Sequence, residues 1–181
     1  MINIILYQPE IPYNTGNIMR TCVVSGALLH IIGPIGFKMD DASLKRAGMD
    51  YLSGFHYTYY NSLDEFNIKN PGIKIHYVTR YGKKPHSQFD FTDLNIDYYL
   101  MFGRESTGIP LELLANNQET CLRIPMLPSV RSLNLSNCVA IVLYEILRQQ
   151  DYNGLSKVEV IKGADHLDRA ILEVNNKSKE D

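Results

Sequence analysis

The sequence of 181 residues contains only three cysteines, and their placement argues against a metal site. Cys22, Cys121 and Cys138 are odd in number, far apart and each set among apolar neighbours, whereas metal sites pair their ligands a few residues apart. They read as buried thiols rather than metal ligands. No apolar run approaches the ~18 residues that a membrane helix needs. The N-terminus Met1-Ile2-Asn3-Ile4-Ile5-Leu6 also lacks the basic flank and cleavage site of a signal peptide. A cytoplasmic protein with no membrane and no metal is therefore expected. Excess positive charge is missing too: 18 Lys and Arg against 20 Asp and Glu leave a net charge of -2. That excludes a protein that coats nucleic acid by bulk electrostatics and leaves room only for a local basic patch.

Several catalytic signatures are absent. The loop after the first strand has no Gly-x-Gly-x-x-Gly, which disfavours the common dinucleotide fold, and no Gly-x-x-x-x-Gly-Lys-Ser/Thr cradles a triphosphate. Gly103-x-Glu105-x-x-Gly108 resembles the first of these only on the surface, because it carries a Glu where a pyrophosphate needs close approach. Without a Gly-x-Ser-x-Gly elbow or a metal-ligand spacing, hydrolase readings weaken as well.

At 45% hydrophobic and 21% charged residues, the composition is that of one globular domain. Ile2 to Tyr7 reads as a buried strand, Asn17 to Ser25 as a helix stopped by Gly26, and Leu28 to Ile32 as a second strand closed by Gly33-Pro34. Asp40 to Gly48 has the charge order of a helix. Phe55 to Tyr60 suits a strand, Ser62 to Phe66 a short capped helix, Lys74 to Thr79 and Asp97 to Phe102 two more strands. This βα alternation predicts an α/β fold with a parallel sheet covered by helices on both faces, its ligands bound beyond the carboxyl ends of the strands. That rule brings Val78-Thr79, Gly103 and Ile124 together. A long apolar helix from about Leu135 to Gln150 has more apolar surface than its own sheet needs. Polarity then rises, and Asn175 to Asp181 reads as a frayed tail.

What remains for chemistry is a set of neutral polar side chains, one acid and one arginine: Asn14, Arg20, Glu105, Ser132 and Asn134. Such groups orient a hydroxyl and stabilise developing negative charge. Taken singly they have plainer readings. Arg20 could serve a surface ion pair, while Glu105, Ser132 and Asn134 are good helix caps. Lys83-Lys84 with His86 could be a solvated loop or a phosphate patch, and Tyr13 and Tyr81 are candidates to stack a flipped base.

Taken in order they form a pattern. Tyr7-x-Pro9-Glu10-Ile11-Pro12-x-Asn14-Thr15-Gly16-Asn17-Ile18 with Arg20, then Pro85-x-Ser87, then Phe102-Gly103-x-Glu105-x-x-Gly108-Ile109-Pro110, then Ile124-Pro125-Met126 and Arg131 to Asn137, resembles the three motifs of the SPOUT methyltransferases. It is most similar to the small tRNA wobble-nucleotide ribose 2'-O-methyltransferases, over about residues 1 to 152. The resemblance implies a methyltransferase domain over residues 1–153 with a deep C-terminal trefoil knot; residues 154–181 have no counterpart in it and read as a polar, partly disordered extension. It also implies S-adenosylmethionine as cofactor, a homodimer formed through the first and last helices, and tRNA, met at the anticodon loop, as substrate.

Residue by residue, the resemblance implies cofactor contacts from Val78, Gly103, Ile124, Ser132 and Leu133. The catalytic residues would be Arg20, facing the ribose hydroxyl, and Asn14, Glu105 and Asn134, building the polar network around it. A guanidinium stays protonated at neutral pH, so orienting the hydroxyl and stabilising the forming alkoxide suit Arg20 better than general-base work. Methylation of a different RNA ribose, or a non-catalytic RNA-binding knot protein, are the alternatives.

Overall fold

A computed structural model describes residues 1–37, 56–130 and 132–177. The helix expected at Asp40 to Gly48 lies outside the described residues. In chain order the elements are β1 (Ile2–Tyr7), α1 (Pro12–Ser25), β2 (Leu28–Ile32), β3 (Tyr57–Tyr60), α2 (Leu63–Lys69), β4 (Ile75–Val78) and β5 (Lys84–Pro85). They continue with β6 (Tyr98–Phe102), α3 (Leu111–Ala115), β7 (Cys121–Arg123), α4 (Leu135–Gln149) and α5 (His166–Lys177). Among the described residues the strands form one sheet, ordered β3-β2-β1-β6-β4-β7-β5. Every pairing in it is parallel.

The central strands β1 and β6 are buried on both sides, so both faces of the sheet have to be covered, as parallel sheets require. Ile5, Ile32, Tyr60 and Met101 turn to one face, where they pack with Phe66 of α2 and with Ile109, Leu114 and Cys121. The opposite parity, Ile4, Leu6, Leu29, Ile31, Leu100 and Phe102, is equally buried. Helices α1 and α4 pack together, and their buried stripes, Ile18, Met19 and Cys22 with Val139, Val142, Leu143 and Ile146, supply the cover. A polar link ties β1, β2 and β3: His30 contacts the Tyr60 hydroxyl at 3.0 Å and the Asn3 amide oxygen at 3.1 Å.

The cysteines are free thiols, two of them buried. Burial pushes Cys22 up to about 12 and Cys138 up to about 11, so neither is a thiolate at neutral pH.

Residues Met1–Gln150 make one compact unit and Asp151–Asp181 a second. Within the second, α5 runs to Lys177, past the point where the sequence reads as a frayed tail. Leu167, Ile171 and Val174 recur at helical spacing there, and Arg169 pairs with Asp165 one turn earlier at 3.4 Å.

Candidate active site

Strand β6 delivers the chain into a loop that cannot be built without glycine. A Cβ on Gly103 would overlap the backbone of Gly108 and Ile109. The loop closes on itself through two backbone bonds, Arg104 N–H to Gly108 O at 3.2 Å and Gly108 N–H to Arg104 O at 3.0 Å. Gly108 makes the turn at φ +74°, a conformation that costs glycine little.

This fold-back aims Glu105 at the start of α1. The helix begins with Pro12 after Ile11, which has no capping side chain of its own. Glu105, more than ninety residues away in sequence, supplies the cap: its carboxylate accepts the backbone N–H of Glu10 at 2.8 Å and of Ile11 at 3.3 Å. A carboxylate there also meets the positive end of the helix dipole. The exchange is mutual, because the Glu10 carboxylate accepts the Ser106 N–H at 2.9 Å and the Ser106 hydroxyl at 2.8 Å. The Ser106 hydroxyl, then its amide, hold the Glu10 carboxyl below the usual carboxylate range, with Arg104 adding to the effect.

One turn into α1, buried Asn14 continues the chain of bonds. Its Nδ2 donates to Glu105 Oε1 at 3.0 Å, and its Oδ1 accepts from Asn134 Nδ2 at 2.8 Å. Asn134 caps α4, its Oδ1 accepting the Ser136 N–H at 2.9 Å and the Ser136 hydroxyl at 2.7 Å. The direction of the whole chain follows from one end. An ionised carboxylate only accepts, so Asn14 must turn its NH₂ to Glu105 and its oxygen to Asn134, and Asn134 then turns its own oxygen to Ser136. Glu105 thus receives three N–H groups, and both ends of each asparagine amide are occupied. These three side chains hold elements in place: the loop after β6, the start of α1 and the start of α4.

The expected cofactor residues gather at one end of the sheet. Val78 stands opposite Phe102 on one side and Leu122 on the other, so Gly103 and Ile124 follow directly beyond its row. Val78 and Ile124 are half-buried and Gly103 is buried, whereas Ser132 and Leu133 are exposed on the approach to α4. The cap at Asn134, bonded through Asn14 to Glu105, keeps that approach beside the Gly103 loop. Arg20 is placed apart. It is exposed on α1, about 9 Å along the axis from Asn14 and roughly 120° around it.

Two features escaped the sequence reading. The Glu10–Ser106 exchange has no local spacing that could announce it. A cavity of about 320 Å³ beside the same loop is lined by Tyr7, Arg104 and residues 107–111, with the Arg104 guanidinium 5.9 Å from the centre of the Tyr7 ring. Among the described residues, no group of three or more His, Cys, Asp or Glu is placed to hold a metal ion, and no helix is long and apolar enough to cross a membrane.

A family model for the SpoU rRNA methylases matches residues 1–144, which contain every element of the site. The chain belongs to the SpoU rRNA methylase family. Among curated relatives, a candidate tRNA (cytidine(34)-2'-O)-methyltransferase of Listeria monocytogenes is 54% identical over 153 residues, covering 84% of this chain and 90% of that one. The tRNA (cytidine(34)-2'-O)-methyltransferase of Escherichia coli K12 is 46% identical over 156 residues, covering 85% and 97%. A solved structure addressing the 2-OH methylation of C/U34 on tRNA superposes with a TM-score of 0.75 at 39% identity, over 84% of this chain and 98% of that one. The SpoU methyltransferase AviRb of Streptomyces viridochromogenes, in complex with AdoMet, superposes at 0.67 with 26% identity, over 83% and 61%. In this SpoU family member the chain of bonds from Ser136 to Glu105 crosses the matched region from end to end.

Proposed function

We propose that the protein transfers a methyl group from S-adenosylmethionine to the ribose 2'-hydroxyl of the wobble nucleotide, position 34, in the tRNA anticodon loop. The observation that carries this reading is the intact chain Glu105–Asn14–Asn134 in a sequence 46% identical to the Escherichia coli enzyme acting on cytidine 34.

The donor set suits such a cofactor. Half-buried Val78 and Ile124, the backbone at Gly103, and Ser132 with Leu133 offer apolar walls and neutral backbone partners, which match an adenine and a thioether better than a phosphate. When bound, S-adenosylmethionine supplies an electrophilic methyl group on sulfur. Arg20 orients the ribose hydroxyl and stabilises negative charge as it develops on the 2'-oxygen. Asn14, Glu105 and Asn134 are positioning residues, fixing the helix that carries Arg20 and the α4 approach that carries Ser132 and Leu133.

The same reading includes a trefoil knot over the C-terminal part of a methyltransferase domain at residues 1–153, the 154–181 extension as an addition to it, and a cytoplasmic homodimer through α1 and α4. Support for the dimer comes from exposed apolar side chains on both helices, Val23 at 46%, Val24 at 57%, Ile141 at 38% and Tyr144 at 43%, a pattern that marks association surfaces. Arg20 lies on another face of α1 from Asn14, which suits a site completed by the partner copy.

Incubation with methyl-labelled cofactor and unmodified tRNA, followed by mapping of the labelled nucleotide, tests the reading. Label on the ribose of nucleotide 34 is expected, and a substrate without its anticodon stem-loop should take none.

A further inference from the structure

Between Glu65 and Asp90 the sequence holds Lys69, Lys74, Arg80, Lys83 and Lys84 and no acidic residue, in a chain whose net charge is negative. Arg80, Tyr81 and Lys83 stand on the turn between β4 and β5, and Lys84 opens β5, at the same end of the sheet as Val78 and Ile124.

That turn is rigidly held. Thr79 N–H donates to Leu122 O at 3.0 Å, and Gly82 N–H to Thr79 O at 3.4 Å. The Thr79 hydroxyl accepts the Tyr81 N–H at 3.3 Å, and Arg123 Nη1 donates to Arg80 O at 2.8 Å. Gly82 is pressed against β7 so closely that a Cβ would lie 2.7 Å from the Leu122 carbonyl carbon. The backbone is therefore fixed while the side chains face outward. Tyr81 is 65% exposed, and the Arg80 guanidinium lies 6.0 Å from the centre of its ring. Nearby acidity is slight: Lys84 reaches Glu119 only at 3.8 Å, a carboxylate 93% exposed, and Lys83 meets the neutral Gln118 at 3.5 Å. An exposed pair of that kind is worth little in water and yields readily to a phosphate.

An exposed aromatic ring on a fixed turn, flanked by cations, matches the requirements of single-stranded nucleic acid, which offers a stacking face on every base and a charge on every phosphate. We propose that the turn from Thr79 to Lys84 is an RNA-contact surface, with Tyr81 stacking an unpaired base and Arg80, Lys83 and Lys84 taking flanking phosphates. The inference rests on the reading of the protein as an RNA ribose methyltransferase and adds where the substrate loop lies relative to the cofactor end of the sheet. Tyr81 and the three cations become specificity and affinity residues outside the bond network of the site.

The test measures binding of two probes, a synthetic anticodon stem-loop and an unstructured oligouridine, across a salt series, for full-length wild type, R80Q/K83Q/K84Q, Y81A and Y81F. Three lost phosphate contacts at a slope of about 0.7 each should flatten the dependence of log affinity on log salt by about 2 for both probes. Y81A should weaken binding on the order of tenfold, with Y81F close to wild type because the ring is kept. S-adenosylmethionine affinity, measured by calorimetry on the same preparations, should stay within about twofold and reports that the variants are folded. Wild-type slope and affinity in the triple variant, or full binding by Y81A, would overturn the proposal. Failure of the wobble-nucleotide reading looks different: wild type then leaves nucleotide 34 unmethylated, while the oligouridine series still decides whether this surface binds RNA.

Discussion

Asn134 donates to Asn14 at 2.8 Å across 120 residues of chain, and each of the two asparagines stands at the start of a different helix. That single bond couples the cap of α4 to the first turn of α1, and Asn14 passes the connection on to Glu105 at 3.0 Å. Elements distant in sequence are thus held in one arrangement by side chains bonded at both ends of their amides.

Loss of the central amide should therefore be felt at both neighbours. Asn14→Ala removes one of the three donors to Glu105 and the acceptor of the Asn134 Nδ2, beside a buried position, a cost of about 1–3 kcal/mol. Thermal unfolding of Asn14→Ala, Asn134→Ala and the double variant should give a coupling energy of about 1 kcal/mol. Additive effects would show that the two residues act independently.

Gly103→Ala should be among the most damaging single changes in the protein. Its methyl group would meet backbone of Gly108 and Ile109 rather than a flexible side chain, so the loop must open and Glu105 leaves α1. Denaturant titration should show a loss of more than about 2 kcal/mol. Gly108→Ala, with open space but φ +74°, should cost about 1 kcal/mol.

Much of this molecule is legible in its sequence because strands of a doubly covered sheet are plain apolar runs, as in Ile2–Tyr7 and Leu28–Ile32. The start of α1 was not. The sequence pattern begins at Asn17, five residues late, because the helix is capped by Glu105 from the far end of the domain and Pro12 needs no donor there. Strands β5 and β7, of two and three residues, are too short to carry a period. The polar site set was visible as residue types, but the bonding order Ser136–Asn134–Asn14–Glu105, and with it the distinction between positioning residues and Arg20, depends on contacts that no spacing encodes.

Acid should weaken the fold through His76. Burial, then the charge of Lys74, pushes this histidine down to about 4 from its ordinary 6.5, and its Nδ1 is buried without a hydrogen-bond partner. Above pH 6.5 the ring is neutral in both states, so its full contribution is present. As pH falls from 6.5 towards 4, the unfolded chain binds a proton that the folded protein refuses, and stability declines by at most about 3 kcal/mol. His76→Leu should flatten the stability profile across that window; an unchanged slope would assign the acid sensitivity elsewhere.

If the partner copy supplies Arg20, two inactive chains should rescue each other. Arg20→Ala lacks the hydroxyl-orienting group and Leu133→Arg lacks the cofactor wall. A co-expressed heterodimer retains one site with both, so it should recover up to about half of wild-type turnover per dimer. No recovery, with heterodimers verified by tandem affinity tags, would place Arg20 and the cofactor in one subunit.

The most direct test of the central claim is mass-spectrometric mapping of unmodified tRNA after reaction with S-adenosylmethionine, using wild type and Arg20→Ala side by side. Wild type should place one methyl group on the ribose of nucleotide 34, and Arg20→Ala should place none while binding the cofactor within about twofold of wild type. A methyl group on a base or on another nucleotide, or equal turnover by the two proteins, would contradict the account.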